Sequence, residues 1–131
     1  MDSAYQGSEK RKFARTKVKF IVYYEVDKPI KVSMWVGDEE INALMLDLSE
    51  AGMAIVTNYD IPAETVLLIK FTLINLYADQ EKKVKLVNMT GEVCNSTLVE
   101  NDEHRLGISF TEISEEDKSA IADFVKMAMK R

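Results

Sequence analysis

Between Lys17 and Val26 the chain alternates: Val18, Phe20, Val22, Tyr24 and Val26 take every second position, with Lys17, Lys19, Tyr23 and Glu25 between them, although Ile21 blurs the outer face. A period of two suits a strand with one buried face, and a helix would scatter those residues around its circumference. The same signature returns in Leu67, Ile69, Phe71 and Leu73, in Val87, Met89, Gly91 and Val93, and in Leu106, Ile108 and Phe110. Polar turns such as Asp27 to Pro29, "GDEE", "NYDIPAET", "ADQEKK" and "ENDEH" separate these runs. Short strands joined by short turns predict an antiparallel sheet that closes or folds on itself.

The remaining segments fit that frame. "IKVSMWV" is a weaker strand candidate, while "INALMLDL" and "MAIVT" are apolar runs on either side of a polar break. "VKLVNMTGEVCNSTLV" is long enough for one bent strand or two short ones, with Gly91 as a bulge. The period changes only near the C-terminus. There Ser114 precedes Asp117 by three residues, as in a capping box, and Ile121, Phe124, Val125 and Ala128 recur at helical spacing. The pattern predicts a helix over 114–130 packed on a body of five or six strands, a barrel or sandwich with a helical plug.

With 131 residues and 47% hydrophobic content, the chain has material for one core and one domain. Residues 1–9 read as a flexible tail, and 10–131 as the domain: an arm at 10–16, a β body at 17–112 and the terminal helix. The N-terminus has no signal-like apolar stretch, and "VLLIKFTLINLY" is too short to span a bilayer and is broken by Lys70, so no membrane insertion is expected. A lone cysteine, Cys94, and the lack of a Cys/His cluster suit a reducing cytoplasm and offer no metal site.

Net charge is -5, which argues against a DNA or RNA binder whose affinity comes from many phosphate contacts. Yet Lys10, Arg11, Lys12, Arg15, Lys17 and Lys19 fall within ten residues that contain no acid. A basic arm on an acidic body suits a small anion better than a polymer.

Two segments carry chemistry. In "RKFAR", Arg11 and Arg15 offer planar forks that can grip a phosphate or the O6/N7 edge of guanine, and Lys10 and Lys12 add charge. In "DLSEAG", Asp47 can accept from guanine N1 and N2, Ser49 can bond either way, and Gly52 lets a flat ligand approach the backbone. Each has a plain alternative: a solvated basic arm, and a tight turn built from the residues that build turns.

Taken together, Arg-x-x-x-Arg before the first strand and Asp-x-Ser-x-x-Gly at a later strand junction resemble the PilZ domain family of bacterial cyclic di-GMP receptors. The similarity spans about residues 10 to 126 and includes "HRLGISFTEISEEDKSAIADFV", which looks like that family's last strand, Gly-x-x-Phe and terminal helix. The resemblance implies a mainly β fold, a six-stranded antiparallel β-barrel of the split-barrel type with a C-terminal α-helix. It also implies cyclic di-GMP as ligand, clasped by Arg11 and Arg15 with Lys10 and Lys12 as additional contacts, and received on Asp47, Ser49 and Gly52. No cofactor is expected beside that ligand. An unidentified downstream protein would read the signal, and the receptor would be a monomer or weak dimer. Family members often stack an arginine or aromatic residue on guanine from the strand near "GEVCNS", where this chain has Val93, Cys94 and Asn95.

The competing readings are a degenerate PilZ-like interaction scaffold with weak or no nucleotide binding and an OB-type barrel for single-stranded nucleic acid, which would show more aromatic platforms. An enzyme is not expected, since His104, the one histidine, lies beside a turn with no aligned nucleophile. Cys94 reads as a small core residue, Met34 and Trp35 as cover for the barrel or its mouth, and Met127 and Met129 as flanks of the helical stripe.

Overall fold

The structure, a computed structural model, describes residues 14–37, 39–76 and 78–129. Six strands form it: β1 (Arg15–Lys28), β2 (Ile41–Ser49), β3 (Gly52–Thr57), β4 (Val66–Ile74), β5 (Val84–Leu98) and β6 (His104–Ile113). Every pairing is antiparallel, and the order β1-β2-β3-β6-β5-β4 closes because β1 pairs with both β2 and β4. The alternating residues point where the sequence pattern sends them: Val22, Tyr24, Val26, Leu67, Ile69, Phe71, Leu73, Val87, Met89, Val93, Leu106 and Ile108 are all buried in one core. β5 is a single strand, and its register against β6 shifts between Thr90 and Gly91 and again between Val93 and Asn95, so the bulge expected at Gly91 is present.

Helices close the barrel. "IKVSMWV" is not a strand but a helix, α1 (Ile30–Val36), of which Val32 is the buried residue. The reason is topological: both edges of every strand are already taken in a closed ring, so an added strand has no ladder to join, and a helix satisfies its own backbone. Trp35 packs edge-on against Tyr59 with centroids 6.0 Å apart, whereas Met34 points to solvent rather than covering the barrel. The C-terminal helix, α2 (Glu115–Met129), starts as the sequence predicts, with the Asp117 backbone N–H donating to Ser114 Oγ at 3.1 Å. Ile121 and Val125 enter the core, and Phe124 meets Phe20 at 5.6 Å. Removing a buried side chain such as Ile121 would cost about 2–5 kcal/mol, so α2 is part of the fold and not an appendage.

One further expectation is corrected. Cys94 is exposed, because Val93 faces the core and the irregular register between Val93 and Asn95 leaves Cys94 without a partner on the inner face.

Candidate functional site

The segment Asp47 to Gly52 ends β2, turns, and starts β3. Ser49 is buried, and its Oγ accepts from the backbone N–H groups of Ala51 at 3.1 Å and Gly52 at 3.2 Å. The hydroxyl thus satisfies two donors that the tight turn leaves without ladder partners. Gly52 is required by crowding: a Cβ there would lie 2.2 Å from the carbonyl oxygen of Ile108 on β6. That close approach lets β3 zip onto β6 directly from the turn, where Gly52 pairs with Ser109 and the Phe110 N–H bonds Ala51 O at 2.8 Å. Both residues face the protein and hold the corner.

Asp47 faces the other way. The residues beside it on the inner face, Met45 and Leu48, are buried in the core, and the register against β3 shifts between Met45 and Asp47. Neighbour by neighbour, Asp47 heads a row around the outside of the barrel: Lys17 on β1, Asp47, Ala54 on β3, Gly107 on β6 and Asn95 on β5. Ala54 and Gly107 make the middle of that row flat. The carboxamide of Asn95 lies over Gly107, where an added Cβ would come within 3.0 Å of Nδ2. Ala54 is itself buried, so the row has small residues at its middle, a carboxylate near one end and an amide at the other.

Two guanidinium groups meet that carboxylate. Arg15, the first residue of β1, donates from Nη1 to Asp47 Oδ1 at 2.7 Å, and Arg105 on β6 donates from Nη2 to Oδ2 at 3.3 Å. The Asp47 side chain is 14% exposed, against 26% for Arg15 and 44% for Arg105. In such a half-buried setting a carboxylate with two cations is well compensated, and the cluster carries a net positive charge. Arg15 Nε is buried and has no hydrogen-bond partner among the described residues, so one donor of the fork is unsatisfied in this conformation. Lys10, Arg11 and Lys12 lie outside the described residues.

A hollow of about 970 Å³ lies over β4, β5 and β6 and the start of α2 and reaches the same turn, where Glu50 and Ala51 line it. Glu25, Glu40, Glu50, Glu112 and Glu115 line it against Lys70 and Lys118. Charge opposes that hollow as an anion site: a dianion would meet an excess of carboxylates there and an excess of cations at Asp47. Among the described residues no three His, Cys, Asp or Glu side chains group as metal ligands, and no helix is long and apolar enough to cross a membrane.

The structure brings Arg15 to Asp47 and sets Ser49 and Gly52 beneath it as the corner. Sequence reasoning did not single out Arg105, and it named Gly107 and Asn95 without placing them beside Asp47. Alternation around Leu106 and Ile108 did signal that residues 105 and 107 face outward, but their register against Asp47 depends on β3 lying between β2 and β6.

The PilZ domain family model matches residues 9–127 of the chain. No curated protein matches. Among solved structures, the chain is similar to the inhibitor of motility MotI/DgrA of Bacillus subtilis, at 15% identity and TM-score 0.72, covering 92% of this chain and 52% of that one. It is similar to the PilZ domain of YcgR from Escherichia coli, solved with c-di-GMP, at 13% identity and TM-score 0.58, covering 92% and 95%. MrkH of K. pneumonia, solved as a c-di-GMP complex, matches at 12% identity and TM-score 0.61, covering 92% and 53%. The chain therefore spans about half the length of MotI and MrkH and nearly all of the YcgR domain.

Proposed function

The chain belongs to the PilZ domain family, and from that premise we propose that it is a cyclic di-GMP receptor that signals by rearranging its basic arm. The observation that carries this reading is the Arg15–Asp47 pair at 2.7 Å on the outer face of the barrel, joined there by Arg105. Asp47 supplies acceptors for the N1 and N2 donors of guanine, and Ser49 and Gly52 build the corner on which the base rests. Arg11 and Arg15 clasp the phosphates and the guanine O6/N7 edge, with Lys10 and Lys12 adding charge. The ligand brings two negative charges to a chain whose arm is wholly basic, and charge-assisted contacts offset the entropy of ordering that arm. Binding and release involve no bond made or broken. The output is a population shift read by a partner protein, in control of motility, pili, biofilm or polysaccharide synthesis.

Two relatives with this fold were solved with c-di-GMP, which supports the ligand class. The test is calorimetric titration of the chain with cyclic di-GMP, alongside Arg11→Ala and Arg15→Ala. Each truncation is expected to weaken binding by about 1–3 kcal/mol. Absence of binding to the wild-type chain overturns the receptor reading in favour of an interaction scaffold.

A further inference from the structure

Two arginines converge on Asp47, and one of them, Arg105, lies outside both motifs. Its strand neighbours Leu106 and Ile108 are core residues, and it pairs in register with Val56 on β3 and Thr97 on β5, so its backbone is held on both sides. Arg15 stands at the very start of β1, paired there with Ser49, and its Nε has no acceptor among the described residues. The two guanidinium groups also divide the carboxylate: Arg15 takes Oδ1 and Arg105 takes Oδ2. One partner is thus held in mid-strand with a neighbour on either side, and the other is the first residue of its strand.

We propose that Arg105 is the positioning residue of this site, holding Asp47 Oδ2 so that the carboxylate stays oriented and charge-paired when Arg15 transfers its grip to the nucleotide. This rests on the cyclic di-GMP reading. With Asp47 only 14% exposed, departure of Arg15 from a site without Arg105 would leave a largely buried carboxylate uncompensated at every binding event. Arg105 keeps it compensated. It also fixes the carboxylate plane, and because each oxygen can accept more than one hydrogen bond, both remain available to the parallel N1–H and N2–H donors of guanine. Adenine has no such donor pair, so the orientation of Asp47 governs the choice between the two purines and contributes little to holding phosphates.

The test measures affinities for cyclic di-GMP and cyclic di-AMP in the wild-type chain, Arg105→Ala and Arg105→Lys, with circular dichroism to verify folding. The wild type is expected to prefer the guanine ligand. Arg105→Ala should weaken cyclic di-GMP binding about tenfold while leaving cyclic di-AMP unchanged, and Arg105→Lys should restore part of the preference because it returns the charge without the fork. Equal loss for both ligands makes Arg105 a direct phosphate contact and overturns the proposal. An unchanged preference with a lowered melting temperature makes it merely structural and also overturns it. A wild-type chain that binds neither ligand, or both alike, sinks the reading beneath the proposal before any variant is compared.

Discussion

Asp47 and Ser49 are two residues apart in one motif, yet they do opposite work. Ser49 is buried and gives its hydroxyl to the turn, while Asp47 faces outward and gives its carboxylate to arginines on β1 and β6. Gly52 sides with Ser49, since the backbone of β6 occupies the space a side chain would need. A six-residue segment thus combines a half that holds the corner and a half that presents a carboxylate, and on the proposed reading the first serves binding by fixing where the second stands.

The strongest way to break this division is Gly52→Ala. A Cβ 2.2 Å from a backbone oxygen must push β3 from β6, and a stability loss on the order of 3 kcal/mol or more is expected in urea denaturation. Wild-type stability would show that the corner is soft and the division false. Ser49→Ala comes next, at about 2–3 kcal/mol, because it strands two turn N–H groups; amide exchange of Ala51 and Gly52 should quicken with it.

The interior offers a third comparison, through pH. Burial pushes the Tyr24 hydroxyl up to about 12, and it shares a hydrogen bond of 2.7 Å with Thr57. Below the ordinary tyrosine pKa, near 10, both folded and unfolded chains keep the proton and the contribution is complete. Between about pH 10 and 12 the unfolded chain ionises first, so about 2 kcal/mol of stability should be lost over that window. A Tyr24→Phe chain whose alkaline denaturation curve keeps the full slope would place the loss elsewhere.

The smallest stability effect belongs to the outward half. Asp47→Asn should cost about 1 kcal/mol or less, since its arginine partners are partly solvated, while cyclic di-GMP binding falls by tenfold or more. If stability fell as far as in Ser49→Ala with affinity intact, Asp47 would belong to the scaffold as well.

Much of this was legible beforehand because side-chain periodicity is local physics. The alternation in β1, β4, β5 and β6 had a single face to bury, and the Ser114 cap and the Ile121–Val125 stripe announced α2. "IKVSMWV" misled because its apolar content suits either element, and the absence of a free sheet edge, a property of the whole ring, made it α1. Cys94 misled because its exposure depends on a register shift between β5 and β6.

What the sequence alone determined is the list of elements, the basic arm, and the two short motifs, since each is encoded within a few consecutive residues. Tertiary structure decided which of those residues meet. Placing β3 between β2 and β6 sets Arg105 within reach of Asp47 across 58 positions of chain, and aligns Ala54, Gly107 and Asn95 into one row. The physical reason is that strand order and register are chosen by closure of the whole barrel, where every backbone donor must find its partner, and no short stretch of sequence contains that condition.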